Sequence, residues 1–420
     1  MTELFAPSSH RIQRARTRSV WTVAAALLLL PLAIFDSTSA SAQTAAPTLT
    51  AQFGVGASEI APLSPGRRYL FVATTGSDTF DRVYSSSTVT VNRYSCLPSA
   101  TAGDPKCPEA TTSLPLRSIG AAIRAARPGD VVIVRGGVYR EAAGWGAVRA
   151  TSNARITVQN YPGERVELNG TLQLRNADYW TIRGLRLTYN PSIQNGQSIV
   201  TLSGGVGWAF LNNEVVGSVG VANVLVVAEP PESTSTVDRV NAAPREYVIA
   251  GNCVRDNRGN NAHGMDHNIY LMSTIYSTGG IVERNLLSGA PNGSNIKLAG
   301  SSTSAPNSSP RNVTIRYNTL VNAATGIVLG LKAERIEISR NIIANQVRRQ
   351  KWDGGVKGWR IANPGRIGVK DNLITGYSPA FFDTSGVFTV RNNTRAPFTY
   401  TRSVAGCTAI PDNTGYGHYG

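Results

Sequence analysis

A short pattern recurs along the second half of the chain. Two apolar residues stand two positions apart, an Asn follows three positions later, and another apolar residue follows two positions after the Asn, as in Tyr247, Ile249, Asn252 and Val254. The Asn residues of the pattern are Asn213, Asn252, Asn285, Asn318, Asn341, Asn372 and Asn393. They lie 21 to 39 residues apart. A constant pattern at variable spacing predicts constant strands joined by loops of different lengths.

The spacing within the pattern also constrains the backbone. Apolar residues two positions apart lie on one face of a strand, but the step across the Asn is an odd number of residues. All of these side chains can point inward only if the chain bends near the Asn. Asn suits a bend because it tolerates left-handed φ and its amide bonds to neighbouring backbone. We therefore predict stacked coils whose Asn side chains bond one another, rather than a sandwich of hairpins.

This repeat resembles the right-handed parallel β-helix of the pectate-lyase-like superfamily, whose Asn ladder occupies a turn between two of its three sheets. Residues 116–130 read as a short amphipathic helix with one apolar face, followed by a strand at 131–134, and this passage resembles the opening cap of such proteins. The apolar face comprises Ile119, Ala122, Ile123 and Ala126. The resemblance implies an all-β, single-stranded right-handed parallel β-helix with an N-terminal capping helix. It does not specify the reaction, because this fold hosts lyases, hydrolases, epimerases and adhesins.

The two ends of the chain are predicted to lie outside the repeat. Residues 1–42 combine four Arg, an apolar run at 20–35 and an Ala-Ser-Ala site, which is typical of a signal peptide. A membrane anchor is the alternative, but the run is short for a span. We assign 43–67 to a linker, 68–395 to the β-helix and 396–420 to a C-terminal cap or tail. The mature chain is then expected to be secreted or periplasmic, with no membrane span.

Charge and cysteine content indicate the partners and the compartment. The net charge is +15, carried mainly by Arg, and such a protein attracts polyanions. Because export argues against nucleic acid, we expect an acidic polysaccharide as partner; surface composition alone is the other explanation. Export permits disulfides, and we predict a Cys96–Cys107 bridge while leaving a Cys253–Cys407 bridge open. Terminal caps block end-to-end stacking, so we expect a monomer.

Chemically versatile residues gather on one strand of the repeat. The strands at 223–226, 268–271, 295–298 and 326–329 share one pattern, in which Ile and Leu point inward. Tyr270 and Lys297 should then be outward neighbours on consecutive coils, about 4.8 Å apart. The same alternation predicts that Asn268 and Asn295 point outward. The resemblance implies that substrate binds the outer face of this strand.

The chemistry that best fits these residues is β-elimination from a uronic-acid polysaccharide. That reaction needs a group that neutralises the carboxylate, a base for the α-proton and an acid for the leaving oxygen. The predicted catalytic residues are His263, Asp266, His267, Tyr270 and Lys297, without individual roles. The predicted substrate-binding residues are Asn268, Asn295, Arg348, Arg349 and Trp352.

Other interpretations stay open at this stage. The His and Asp could form a structural turn, and the Tyr and Lys could simply be solvated. The chain could also be a non-catalytic carbohydrate-binding or cell-surface protein, or a glycoside hydrolase or epimerase. The candidate calcium ligands are Asp256, Asp266, Glu283 and Asp353, and they form no dense acidic cluster in the sequence. We therefore expect no metal site and no cofactor, with calcium dependence left open.

Overall fold

The computed structural model describes residues 68–78, 95–96, 115–144, 146–161, 163–194, 196–230, 235–259, 264–299, 309–351, 353–361, 366–383, 386–397 and 407. The described residues belong to one compact unit. The predicted signal peptide, the linker at 43–67 and the Cys96–Cys107 bridge lie outside the described residues, as do His263 and Trp352.

The described residues form 28 strands and three short helices. The first half contains β1 (Tyr69–Val72), β2 (Ser95–Cys96), α1 (Ile119–Ala125), β3 (Val131–Val134), β4 (Gly137–Tyr139), β5 (Ala142–Gly144), β6 (Ile156–Asn160), β7 (Val166–Asn169), β8 (Thr171–Arg175), β9 (Trp180–Arg183), β10 (Arg186–Thr188), α2 (Pro191–Gln194), β11 (Val200–Ser203), β12 (Ala209–Leu211), β13 (Glu214–Val216) and β14 (Ala222–Val227). The second half contains α3 (Thr236–Ala242), β15 (Arg245–Ala250), β16 (Cys253–Arg255), β17 (Asp266–Met272), β18 (Gly279–Glu283), β19 (Leu286–Leu298), β20 (Arg311–Arg316), β21 (Thr319–Gly330), β22 (Glu334–Ser339), β23 (Ile342–Ala344), β24 (Val356–Trp359), β25 (Ile367–Lys370), β26 (Leu373–Ile374), β27 (Phe381–Asp383) and β28 (Phe388–Arg391).

These strands stack into a coil with three faces. The first face is a sheet in the order β2-β1-β3-β6-β9-β12-β15-β18-β20-β22-β25-β28, parallel throughout except for the β1–β2 pair. The second face is formed by β4, β7, β10, β13 and β16, and continues through the first part of β19 and β21. The third face contains β5, β8, β11, β14, β17, the last part of β19 and β21, and then β24 and β27. This arrangement confirms the predicted parallel β-helix.

The core is the inside of the coil. Equivalent residues of successive coils stack there and are fully buried, for example Phe210, Ile249, Val282, Ile315 and Ile338. Each buried aliphatic or aromatic side chain contributes roughly 1.5–3 kcal/mol relative to exposure. The apolar pairs of the sequence repeat are therefore the residues that stabilise the stack.

The seven Asn residues of the repeat form one ladder at the turn between the first and second faces, as predicted; we call it the long ladder. Asn285 is representative: its Nδ2 donates to Asn318 Oδ1 at 2.9 Å and to the Ile249 carbonyl at 2.9 Å. Its own Oδ1 accepts from the backbone N–H and the Nδ2 of Asn252, both at 2.9 Å. Each amide thus satisfies backbone groups that the turn removes from the sheet.

The bend itself is made by a different residue from the one expected. Left-handed φ occurs one position before the ladder Asn, with values of 51° at Arg284, 55° at Tyr317 and 54° at Arg340. Such conformations are unfavourable for side chains other than Gly, Asn and Asp. We infer that the bonds of the following Asn hold these residues in place.

Two further features concern the cap and the cysteines. The predicted capping helix is α1, with Ser118 as N-cap and Ile119, Ala122 and Ile123 buried. Cys253, in β16 on the second face, forms a disulfide with Cys407, with Cα atoms 5.9 Å apart, a pairing that sequence alone left open. Among the described helices, none is both long and apolar enough to cross a bilayer.

Candidate active site on the third face

Outward side chains of the third face line up across successive coils. The strand register places Thr201, Leu225, Tyr270, Lys297, Val328, Lys357 and Phe382 in one row, which we call the outer column. Tyr270 and Lys297 are direct neighbours in it, as the sequence predicted. Ile269 and Leu271, which flank Tyr270, point into the core and are buried.

Tyr270 and Lys297 form a compact pair at the centre of this column. The Lys297 Nζ lies 4.7 Å from the centroid of the Tyr270 ring. Although both side chains point outward, only 7% of Tyr270 and 8% of Lys297 is exposed. Burial raises the pKa of Tyr270 to about 12. Burial, and secondarily the charge of Lys357, lowers the pKa of Lys297 to about 8.

Lys357 was not identified as a site residue from sequence. It lies on β24, which pairs with β21 and places Lys357 opposite Val328. Burial lowers the pKa of Lys357, while the charge of Asp353 acts in the opposite direction. The signal that could have revealed it is the match of Val356-Lys357-Gly358-Trp359 to the alternation of Ile327-Val328-Leu329-Gly330.

His267 lies beneath the pair and is fully buried. Its Nδ1 accepts from the backbone N–H of Ser294 at 3.1 Å and lies 2.8 Å from Ser294 Oγ. A backbone N–H can only donate, so we assign the ring proton to Nε2. The His267 ring packs edge-on against Tyr270 with ring centroids 5.3 Å apart. Burial and then Lys297 hold the pKa of His267 well below its usual value, so the ring is neutral and supports Tyr270 by packing.

Asn268 and Asn295 do not point outward, and that prediction is wrong. Both are fully buried and form a second, three-membered ladder with Asn223, which we call the short ladder. Asn223 Nδ2 donates to Asn268 Oδ1, and Asn268 Nδ2 donates to Asn295 Oδ1, each at 2.8 Å. The chain bends at these residues, so the alternation of a straight strand does not extend across them. Their amides are committed to neighbouring coils and lie away from the outer face.

The remaining predicted residues that the structure describes are Asp266, Arg348 and Arg349, which lie at the edge of the column. Asp266 is fully buried and its Oδ2 accepts from Asn292 Nδ2 at 2.7 Å. Asn292 Oδ1 in turn accepts from Arg348 Nη1 at 2.9 Å. Arg348 and Arg349 are both exposed in the segment between β23 and β24. Asp266 therefore holds Asn292 in place, and of these three described residues the two arginines face solvent.

The segment carrying these arginines is tied to the third face. Asp353 is buried, and its Oδ1 accepts from Thr325 Oγ1 at 3.1 Å. Its Oδ2 accepts from the Gln350 backbone N–H at 2.8 Å. Thr325 lies opposite Ser294 in the strand register, and Ser294 lies opposite His267. A row of buried polar side chains therefore connects the segment that carries Arg348 and Arg349 to His267, beneath the Tyr270–Lys297 pair.

The four candidate calcium ligands do not form one ligand set. Asp256 pairs with Arg255 at 2.6 Å, and Glu283 pairs with Arg316 at 2.7 Å. Asp266 and Asp353 bond to different elements, as described above. Within the described residues, no group of three His, Cys, Asp or Glu side chains is arranged to hold a metal.

The arrangement can perform acid–base chemistry on a bound ligand. At mildly alkaline pH an appreciable fraction of Lys297 is an unprotonated amine, while Tyr270 retains its phenolic proton. An unprotonated base and a protonated acid therefore lie side by side. Lys357, three coils beyond Tyr270 and two beyond Lys297, and Arg348 supply positive charge nearby.

Comparison with known proteins supports the fold. No protein-family model and no curated protein matches the sequence. Among solved structures, the pectate lyase Pel9A superposes with a TM-score of 0.51 at 12% identity, covering 84% of this chain and 88% of that chain. The complex of XylC with xylose gives 0.46 at 12% identity, covering 77% and 69%. An alginate lyase from Paenibacillus sp. str. FPU-7 gives 0.41 at 15% identity, covering 66% and 96%. The likeness to Pel9A shows a shared β-helix fold.

Proposed function

We propose that this protein is an exported carbohydrate-active enzyme that cleaves a uronic-acid polysaccharide by β-elimination on its third face. The observation that carries the proposal is the Lys297–Tyr270 pair, in which an amine with a pKa lowered to about 8 lies against a phenol with a pKa raised to about 12. Perturbed titrating groups on one surface are typical of catalytic sites. The pectate lyase that shares this fold is consistent with an acidic substrate.

Lys297 is the base in this scheme. Its unprotonated Nζ removes the proton on the carbon next to the uronate carboxylate. The electron pair of that C–H bond forms the new C=C bond, and the bond from the adjacent carbon to the glycosidic oxygen breaks. Lys357 and Arg348 bind the carboxylate, which favours the negative charge that develops on it.

Tyr270 is the acid. Its phenolic proton goes to the departing glycosidic oxygen, so one chain leaves with a free hydroxyl and the other with an unsaturated uronate at its end. The products hold all atoms of the substrate. Lys297 has then gained one proton and Tyr270 has lost one, and transfer between these neighbouring groups restores both.

The pH dependence follows from the pKa of the base. Lys297 must be unprotonated, so activity should rise as pH increases through about 8 and level off about one pH unit above. Tyr270 must be protonated, and its pKa of about 12 places the alkaline limb beyond the plateau. A profile that falls between pH 7 and 9 would contradict these assignments.

The test is the ultraviolet absorbance of unsaturated uronate during incubation with a panel of acidic polysaccharides, with and without calcium. We expect one substrate to give a signal that falls at least a thousandfold in Lys297→Met and about a hundredfold in Tyr270→Phe. Lys370→Met and Tyr317→Phe are matched controls, because both residues lie on strands or turns away from the third face. Full activity of Lys297→Met would overturn the mechanism. Binding of a glycan without any cleavage would instead identify a carbohydrate-binding protein.

A further inference from the structure

Trp359 is an exposed aromatic residue beside the outer column. It follows Lys357 by two positions in β24, so both side chains leave the same side of the strand, about 7 Å apart along it. About 39% of Trp359 is exposed, which is unusual for the largest apolar side chain. Its position opposite Gly330 makes it the next outward residue along the third face.

Gly330 provides the seat for the indole. A Cβ at Gly330 would lie 3.4 Å from Trp359 Cε3 and 3.3 Å from the Cβ of Ala299 on the preceding coil. The backbone of Gly330 does not adopt left-handed φ, so the conformation itself does not require glycine. The six-membered ring of Trp359 therefore lies within van der Waals distance of the Gly330 position, against the sheet.

The surroundings of the indole indicate what it binds. The guanidinium of Arg360 lies 5.2 Å from the ring centroid, and Lys357 stands on the same strand. An exposed aromatic face accepts an apolar C–H surface, and the two cations attract carboxylates. A uronic-acid unit offers both, because its ring presents C–H groups on one face and a carboxylate at its edge.

We propose that Trp359, seated on Gly330, is a stacking platform for a second sugar ring of the acidic polysaccharide. This inference rests on the proposed function. From Lys297 the platform is two coils and two residues away, about 12 Å between Cα positions from sheet spacings. The bound chain therefore extends from the Lys297–Tyr270 pair towards the C-terminal coils. A short oligosaccharide cannot occupy both places, whereas a longer one can.

The platform predicts an effect that depends on substrate length. We expect Trp359→Ala to raise KM about tenfold for long oligosaccharides, to leave KM for the shortest cleaved oligosaccharide unchanged, and to change kcat less than twofold. Trp359→Phe should retain most of the affinity.

Two measurements make the inference falsifiable. The first is steady-state kinetics on a length series of the cleaved glycan, with Tyr317→Ala as an aromatic control on another face. The second is calorimetric titration of uncleaved oligosaccharides into Lys297→Met, with and without Trp359→Ala, which reports binding without turnover. Equal effects at all lengths, or none at any, would overturn the platform while cleavage still stands. If no acidic polysaccharide is cleaved or bound, the proposed function and the platform both fail.

Discussion

Both Asn ladders supply hydrogen bonds to backbone groups at a turn of the coil. The residues that surround the two ladders differ. The long ladder runs through seven coils between the first and second faces, from Asn213 to Asn393. The short ladder spans only three coils between the second and third faces. It begins after Ile199 and ends before Gly326, which occupy the equivalent positions on the coils at either side.

This difference marks the site. Beside the long ladder, the outward residues are charged groups that pair across the surface, such as the partly buried Glu283 with Arg316 at 2.7 Å. Beside the short ladder, the outward residues are the largely buried Tyr270 and Lys297. The bend at Asn268 also brings His267 against Tyr270, three positions away, although a straight strand would separate them. The short ladder therefore stabilises the bend at Asn268, where the chain departs from the geometry of the regular coil.

The largest expected effect comes from interrupting the long ladder at its centre. Asn285→Leu removes the partner of the Asn252 N–H and leaves the Ile249 carbonyl without its donor. Two or more buried polar groups lose their bonds, and each costs about 1–3 kcal/mol, so we expect a loss of about 4 kcal/mol. Denaturant unfolding followed by circular dichroism measures it. Asn153→Leu at an exposed turn is the control, and a loss at Asn285 as small as that control would contradict the structural role of the ladder.

The next substitution distinguishes two possible roles of Asn268: a structural role in the short ladder and a contact with substrate. Here the amide bonds to Asn223, Asn295 and the Ser288 carbonyl. Unlike Asn285, it accepts no backbone N–H from the residues that the structure describes. Asn268→Leu should therefore cost less, about 3 kcal/mol. It should also lower kcat, because His267 and Tyr270 follow the bend. A higher KM at unchanged stability would show that Asn268 contacts substrate, as the sequence suggested.

The features that recur along the chain could be predicted from the sequence, whereas the features that occur once could not. The coil, the seven ladder residues and the Tyr270–Lys297 neighbourhood follow from patterns that recur along the chain. Asn268 and Asn295 were misread because alternation was carried across a bend that only the three-dimensional structure reveals. Lys357 was missed because it follows a basic segment that has no counterpart in the earlier coils. The individual roles of Lys297 and Tyr270 also required burial, which sequence does not provide.

A smaller effect has the opposite sign: a substitution in the site should raise the free energy of unfolding, because the buried Lys297 destabilises the folded state at neutral pH. The folded-state pKa of Lys297 is about 8, against an ordinary 10.5, so between these values the unfolded chain binds more protons and stability rises with pH. At pH 7 the penalty is about 3 kcal/mol, partly offset by about 1 kcal/mol from the contact with Tyr270. Lys297→Met should thus stabilise the protein by on the order of 2 kcal/mol at pH 7.

The pH dependence provides the control for that prediction. Above pH 10.5 the lysine is neutral in both states, so the gain from Lys297→Met should disappear or reverse slightly as the Tyr270 contact is weakened. Lys370→Met, whose lysine is 45% exposed at its side chain, should show no comparable gain. A stability difference that stays constant from pH 7 to 11 would argue against a desolvated lysine.

The smallest expected effect tests whether the stability that a ladder Asn contributes depends on how deeply it is buried. Asn393 ends the long ladder: its Oδ1 accepts from the Asn372 N–H at 2.9 Å, and its Nδ2 donates to the Val369 carbonyl at 2.8 Å. The bonds resemble those of Asn285, but Asn393 is partly exposed, so water can replace them. Asn393→Leu should cost less than about 1 kcal/mol and leave kcat unchanged. A cost equal to that of Asn285→Leu would mean that the coil fails as a unit from its end. The ladder would then act through cooperativity along the stack, not through the desolvation of each amide.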